Sequence, residues 1–240
     1  MILARDRHIH AACFDEIDAA VASLVGRPDA VVFNAHSALA ADIPVDAVVY
    51  NFENVGIQIA PVMFPGREIW DFSSANVERW RAAGRDVLHV PVGFHPSMTR
   101  FEPLPWSKRD IDVVFCGCPN PRRTALVREL RGRGLHVELL FGVYGPDRDA
   151  ILQRARVGLN VLFYEDGIFP VLRSAHLQAN LIATVSEEAL ETPSWAWPPP
   201  CPLSEVADRV ERIVRGSADD NDEIVSTAIF KLAACPMTLP

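Results

Sequence analysis

The stretch that decides the fold is "RSAHLQANLIATVSEE", from Arg173 to Glu188. A helical pattern runs into the β-branched segment "LIATV" and stops on two carboxylates, Glu187 and Glu188. A strand buried in a parallel sheet explains the apolar segment, but it does not explain charge at the carboxyl end of that strand. In open α/β sheets this end of the strands is where ligands bind. The stretch therefore predicts a parallel α/β sheet with a ligand near Glu187, whereas Glu188 is equally well explained as a solvated neighbour.

Short apolar runs alternate with longer helical patterns along the chain, which is typical of βα units and a mostly parallel sheet. In the first half we expect strands at 30–36, 47–53, 67–73 and 86–93, and helices at 12–25 and 74–84. The proline-containing segment 94–110 shows no periodicity and indicates a linker. After it we expect strands at 111–117, 136–142, 157–163 and 181–187, and helices at 121–133, 147–156, 170–179, 203–215 and about 222–234.

The two similar βα blocks predict an α/β protein with two Rossmann-like domains that face each other across a cleft. We expect the first domain at 1–100 and the second at 101–225. The remaining segment, 226–240, could pack back on the first domain.

Composition limits the classes of partner. Of the 240 residues, 49% are hydrophobic, and 23 basic and 31 acidic residues give a formal charge of −8. This charge argues against a nucleic-acid backbone as the main partner, although a local basic patch could still bind phosphate.

The cysteines and the hydropathy favour a soluble, cytoplasmic protein. The five cysteines form an odd set without a repeated spacing, which favours a reduced compartment. Cys116 and Cys118 lie one residue apart without a His/Cys cluster nearby, so they are a weak signal for zinc, and we expect no metal. No apolar run reaches the roughly 18 residues that a spanning helix needs, and the N-terminus is too short in apolar residues for a signal peptide.

The turn "CGCPNPRR", residues 116–123, follows a predicted strand and opens a helix. Small residues such as Gly117 let backbone N–H groups approach an anion, and the helix N-terminus adds partial positive charge. Arg122 and Arg123 in the first turn oppose that charge unless an anion or an acidic neighbour compensates them. The turn is therefore either a phosphate site or a solvated arginine pair. It lacks the three-glycine spacing of a dinucleotide fingerprint.

Three further polar residues follow in the second half. Asn160 lies in an apolar strand, where its amide either bonds to neighbouring backbone or lines a ligand cleft. Arg173 stands at the start of a helix, where a diphosphate would compensate its charge. Glu187 could accept hydrogen bonds from the hydroxyls of a ribose or a sugar.

The segment 151–188 resembles the carboxyl-terminal donor domain of GT-B glycosyltransferases, particularly the bacterial CgeB-like, family 1-like branch. The shared pattern is a helix, a strand ending in Leu-Asn, a loop, an arginine on the next helix and a strand ending in Ser-Glu. "CGCPNPRR" is similar to the glycine turn of that family, and "VVYNFENV", "WDFSSANVERW" and "VPVGFHP" are similar to its amino-terminal elements. The likeness covers roughly residues 30–225.

This resemblance implies that a nucleotide-diphosphate sugar is the donor substrate, bound by the second domain, with no cofactor and no obligatory metal. Arg173 would face the diphosphate, Glu187 would bind the ribose, and Gly117 would let the backbone approach the donor. The acceptor would be a hydroxyl of a glycan, a lipid-linked molecule or a small molecule.

The chain departs from the family just before the arginine. Where the family has a glutamate three or four residues earlier, this chain has Phe169 and Pro170. The nearest carboxylates are Glu165 and Asp166. Either one of them has taken the role, or the site does not bind a standard donor.

A general base is needed on the acceptor side. Glu53 and Asp71 follow or end predicted strands, where side chains open toward the expected cleft, and His36 and His95 are further candidates. Each has an alternative explanation, namely an exposed carboxylate for Glu53, helix capping for Asp71 and turn chemistry for the histidines.

Three functions stay open on the sequence. The first is a metal-independent glycosyltransferase, in which fixed cations stabilise the diphosphate leaving group. The second is a non-catalytic module that binds a nucleotide or nucleotide sugar. The third is an unrelated two-domain α/β protein, such as an epimerase-like or response-regulator-like fold.

Overall fold

The computed structural model describes residues 31–33 and 48–238, with side chains for 48–238. The chain divides into two compact units: Met1–Val92 together with Met237–Pro240, and Gly93–Pro236. The predicted helix at 12–25 and the candidate His36 lie outside the described residues.

The first unit contains a four-stranded parallel sheet in the order β1-β2-β3-β4. Its strands are β1 (Val31–Phe33), β2 (Val48–Asn51), β3 (Ile69–Asp71) and β4 (Leu88–His89). Helix α1 (Ser74–Ala82) starts where the Ser73 side chain accepts a hydrogen bond from the Asn76 N–H, as an N-cap residue does. The strands β2 and β3 are buried throughout, and Trp80 of α1 is fully buried in the adjoining core.

The second unit contains a parallel sheet in the order β6-β5-β7-β8. Its strands are β5 (Ile111–Cys116), β6 (Val137–Leu140), β7 (Ala155–Asn160) and β8 (Ala183–Ser186). Its α-helices are α2 (Pro121–Gly132), α3 (Gly145–Leu152), α4 (Val171–Ala179), α5 (Leu203–Arg215) and α6 (Ala218–Ala233). Short 3-10 helices span Pro96–Met98 and Trp106–Lys108.

The strand order of this second sheet defines a switch point. From β5 the chain adds β6 on one side, and it then crosses to add β7 and β8 on the other. The crevice between the carboxyl ends of β5 and β7 is therefore where the fold places a ligand. β5 ends on Cys116 and β7 on Asn160, so the polar residues predicted from the sequence adjoin this crevice.

Helix α4 packs closely on β7, and this contact positions the site. A methyl group added at Gly158 would lie 2.7 Å from both terminal carbons of Leu177. Only a glycine lets α4 approach the strand at that distance. The helix thereby brings Arg173, in its first turn, to the end of β7.

The predicted alternation of strands and helices and the parallel sheets are confirmed. The last helix begins at Ala218 rather than near 222, because Ser217 and Asp220 form a capping box within the acidic turn. The helix is continuous through 226, where the predicted tail begins, so no boundary falls there. Across the described residues, none of the helices combines the length and the apolar character that a membrane span requires.

Candidate phosphate-binding site

In the turn after β5, arginine side chains lie close to the backbone of Gly117. Asn120 is the N-cap of α2, and its side chain accepts a hydrogen bond from the Arg123 N–H at 2.8 Å. A Cβ atom on Gly117 would lie 2.9 Å from the Nη2 atom of Arg173 and 3.5 Å from the Nη1 atom of Arg123. Gly117 therefore leaves room for the Arg173 guanidinium, which a Cβ atom at this position would displace.

Arg123 is buried, with 5% of its surface exposed. Its guanidinium carbon lies 5.0 Å from the ring centroid of Phe115 and 5.1 Å from that of Phe163. The alternative of a solvated arginine pair is therefore wrong for Arg123. The guanidinium donates hydrogen bonds to three backbone carbonyls, those of Cys118 at 2.8 Å, Val161 at 2.7 Å and Leu162 at 3.1 Å.

Arg173 reaches the same place from α4. It donates to the side-chain oxygen of Asn160 at 3.2 Å and to the Val161 carbonyl at 3.3 Å. Its guanidinium carbon lies 5.0 Å from the Phe115 centroid, so two cations share one aromatic ring. Asn160 is fully buried, and its amide nitrogen lies 3.4 Å from the Ser186 hydroxyl while its side-chain oxygen accepts from Arg173.

The guanidinium groups of Arg123 and Arg173 carry their charge in surroundings with little access to water. Burial lowers the pKa of Arg173 to about 10. Burial, reinforced by the charge of Arg173, lowers the pKa of Arg123 to about 9. Within residues 48–238 neither side chain forms an ion pair with a carboxylate. Both groups remain cationic at neutral pH. Burial disfavours their charged forms, and a bound anion would stabilise those forms again.

Arg122 differs from its neighbour, because it pairs with Glu187. Its guanidinium contacts both carboxylate oxygens of Glu187, at 2.7 Å to Oε2. The same Oε2 atom accepts a hydrogen bond from the Leu162 N–H at 3.0 Å, and Glu187 is 4% exposed. The hydrogen bond with Glu187 raises the pKa of Arg122. Arg122 thus has an internal counter-charge, and the predicted ribose contact of Glu187 stays a prediction.

The structure therefore brings Gly117, Arg123, Asn160 and Arg173 together at the switch point between β5 and β7. Sequence reasoning missed Phe115, whose ring underlies both guanidinium groups. A phenylalanine in an apolar strand is not by itself evidence of a binding site. Its position directly before the glycine turn is the one local feature that could have indicated a role.

Arg148 is another buried arginine of the second unit, and it was not predicted as a site residue. It is buried on α3 and donates to the Asp149 carboxylate at 2.9 Å. Asp149 in turn lies 3.3 Å from the Nε2 atom of His176. Because a carboxylate already neutralises its charge, Arg148 is a weaker candidate for anion binding than Arg123 or Arg173.

Asp71 of the first unit has no exposed surface, contrary to the expectation that it opens toward a substrate. Burial raises its pKa to about 6, although four hydrogen bonds to the carboxylate act in the opposite direction. A group whose acceptor sites are filled by the protein is poorly placed to take a proton from a hydroxyl. Its donors are Asn51 at 2.6 Å, the Ser73 N–H at 2.9 Å, Trp80 at 3.0 Å and Asn76 at 3.2 Å.

Glu53 is half-buried and its backbone is held firmly. The amides of Asn51 and Asn76 both donate to its carbonyl, at 2.9 and 2.8 Å. Burial thus favours Glu53 over Asp71 as a general base. The contacts of His95 favour a role in the turn over a role as general base. Its Nδ1 atom accepts a hydrogen bond from the Ser97 N–H and caps a 3-10 helix.

The region before Arg173 contains no carboxylate in the position where the resembling family has one. Phe169 is buried and packs edge-on against Trp195, with ring centroids 6.4 Å apart. Glu165 and Asp166 are exposed in a turn of the loop that follows β7. Among the described residues no three His, Cys, Asp or Glu side chains are grouped so that they could hold a metal ion.

Comparison with known proteins shows the fold. No family model matches the chain. An uncharacterized protein of Acanthamoeba polyphaga mimivirus is 27% identical over 120 residues, which cover 47% of this chain. The match spans only 14% of that relative's length.

Solved structures are similar to this chain at low identity, among them two glycosyltransferases. An alpha-glucosyltransferase in complex with UDP-glucose and DNA containing an abasic site has a TM-score of 0.50 and 8% identity, covering 87% of this chain and 76% of that one. AviGT4, a glycosyltransferase involved in avilamycin A biosynthesis, has a TM-score of 0.41 and 14% identity over 78% of this chain and 71% of its own. The accessory secretory protein 1, 2 and 3 structure from Streptococcus pneumoniae has a TM-score of 0.43 and 11% identity over 84% and 49%.

The first of these likenesses extends over most of the chain and confirms the α/β, Rossmann-like fold of the GT-B type with parallel sheets.

Proposed function

We propose that this chain is a glycosyltransferase that moves a sugar from a nucleotide-diphosphate donor to a hydroxyl acceptor. The observation that carries the proposal is the pair of poorly solvated guanidinium groups, Arg123 and Arg173, held against Gly117 at the switch point. Two fixed cations without a carboxylate partner fit a ligand with at least two negative charges. The diphosphate of a nucleotide sugar has this charge, and the matching fold of the alpha-glucosyltransferase, a protein solved with UDP-glucose, supports the choice.

The two cations also suit the chemistry of transfer. The acceptor oxygen attacks the anomeric carbon of the sugar, the bond from that carbon to the diphosphate oxygen breaks, and the nucleoside diphosphate leaves with the bonding electrons. Negative charge develops on the leaving oxygen, and cations already in position stabilise it without further reorganisation. Arg123 and Arg173 would supply this stabilisation, so the proposed reaction requires no metal ion.

The acceptor hydroxyl must lose a proton as it attacks, and a carboxylate is the expected base. We propose Glu53 for this role ahead of Asp71, because Asp71 has no exposed surface and accepts four hydrogen bonds from the protein. Ionised Glu53 would take the proton of the hydroxyl, which balances the reaction.

A non-catalytic nucleotide-sugar binding module is the second candidate. The buried Phe169 favours it, because this residue lies where the resembling family carries a glutamate, four residues before the arginine. Both candidates share the phosphate site and differ only in turnover.

A thermal-shift panel tests the shared part of the proposal. The panel contains the diphosphates of uridine, guanosine, thymidine and cytidine and the matching nucleotide sugars, since a ligand that binds only the folded protein raises its melting temperature. We expect at least one ligand to stabilise the wild type and, at the same concentration, to raise the melting temperatures of Arg123→Met and Arg173→Met less. Arg215→Met, which alters an exposed arginine paired with Glu211, is the control and should respond as wild type does.

Absence of any shift at millimolar concentrations would rule out donor binding. Release of nucleoside diphosphate with acceptor-dependent sugar transfer would then separate the enzyme from the binding module.

A further inference from the structure

Two aromatic side chains of the β7 loop, residues 161–167, are exposed to solvent. Phe163 is 37% exposed and Tyr164 is 36% exposed. Their rings meet edge to face, with centroids 4.9 Å apart and planes at 66°. Two neighbouring rings that are partly exposed offer flat faces on which a planar ligand can stack.

The main chain beneath these rings is rigidly held. Six hydrogen bonds from or to side chains fix its first three residues. The Asn120 amide, for example, donates to the Phe163 carbonyl at 2.8 Å, and Glu187 accepts from the Leu162 N–H. The rings are therefore exposed on a fixed support, and a ligand that stacked on them would not have to order the loop.

The aromatic pair adjoins the phosphate site directly. The guanidinium carbon of Arg123 lies 5.1 Å from the Phe163 centroid while it also contacts the Phe115 ring beneath the site. A phosphate that contacted the Arg123 guanidinium would therefore lie close to the Phe163 ring. The part of a nucleoside diphosphate that projects from the phosphates and has a flat aromatic face is its base.

We propose that Phe163 and Tyr164 form the stacking surface for the nucleobase of the donor. This inference rests on the proposed function, and it adds the part of the ligand that Arg123 and Arg173 cannot recognise. Stacking of a base on an aromatic side chain stabilises binding regardless of the base's identity, because every base has a π-face. The surface therefore selects nucleotides over free pyrophosphate, and other contacts distinguish one base from another.

Calorimetric titration with matched ligands tests the surface. The ligands are inorganic pyrophosphate and whichever of the four nucleoside diphosphates the wild type binds. We expect Phe163→Ala and Tyr164→Ala each to weaken the nucleoside diphosphate about 5- to 150-fold, the range expected for loss of one stacked base, and to leave pyrophosphate within about twofold. Phe163→Trp should retain nucleoside diphosphate binding. Phe230→Ala removes a phenylalanine that is 75% exposed on α6, and it should bind both ligands as wild type does.

Each other outcome contradicts the inference in its own way. Unchanged nucleoside diphosphate affinity in both alanine variants would refute the stacking surface and leave the phosphate site intact. Equal weakening of pyrophosphate would show that the rings only support Arg123. A wild type that binds neither ligand would refute the proposed function itself.

Discussion

Replacing Arg173 by methionine distinguishes a ligand-binding arginine from a structural one. Methionine keeps much of the length and apolar volume of the side chain but removes its charge. The pKa of Arg173 is lowered to about 10 by burial. At about 1.4 kcal/mol per pKa unit, this lowering corresponds to about 3 kcal/mol against the charged form in the unliganded protein.

The substitution also removes two hydrogen bonds, to Asn160 and to the Val161 carbonyl. Leaving a buried acceptor unsatisfied costs roughly 1 to 3 kcal/mol. Removing the buried charge stabilises the folded protein and offsets the loss of these hydrogen bonds. We therefore expect the free energy of unfolding of Arg173→Met to lie within about 2 kcal/mol of wild type. Donor binding should weaken by about 1.5 to 3 kcal/mol, or about 12- to 150-fold, because a charge-assisted contact to phosphate is lost.

Urea denaturation and calorimetric titration with the bound nucleoside diphosphate measure the two quantities on the same variant. A ligand-binding role for Arg173 would be refuted if Arg173→Met lowered the free energy of unfolding by more than about 4 kcal/mol while nucleotide affinity was unchanged. That result would make Arg173 a structural arginine of α4.

Gly117→Ala should weaken nucleotide binding, measured by calorimetry, because the added carbon would lie 2.9 Å from the Arg173 guanidinium and displace it. Binding at wild-type strength would show that the turn does not approach the donor. Because the pKa of Asp71 is raised to about 6, its carboxyl holds a proton more tightly in the folded state. Its contribution to the stability of the first unit should therefore fall by up to about 3 kcal/mol between pH 4 and about pH 6 and then level off. Urea denaturation against pH should show this fall in wild type and not in Asp71→Asn. Glu53→Gln should slow sugar transfer at least about 100-fold with unchanged donor affinity, and normal turnover would place the base elsewhere.

The order of strands and helices could be predicted from the sequence because burial on both faces of a parallel sheet leaves continuous apolar runs. "VVYN" and "VGLN" are such runs, and each ends in the asparagine that closes its strand. The positions of Gly117 and Arg173 were also accessible, because strand ends and helix starts are local features of the sequence.

The roles of adjacent residues could not be predicted in the same way. Arg122 and Arg123 are neighbours on α2 and so point in different directions, one to Glu187 and one beneath the β7 loop. Glu187 lies 65 residues farther along the chain, and no local pattern connects it with Arg122. The hydrogen bonds to Asp71 likewise come from two separate segments, with Asn51 on β2 and Trp80 on α1 among the donors.

Arg123 and Arg173 together form the proposed binding site for the diphosphate of a nucleotide donor. A crystal structure of the protein with its bound nucleoside diphosphate would locate the phosphates. We predict phosphate oxygens at about 2.7 to 2.9 Å from both guanidinium groups, above Gly117. Phosphates bound elsewhere, with Arg123 and Arg173 contacting only protein atoms, would show that the two arginines do not bind the donor.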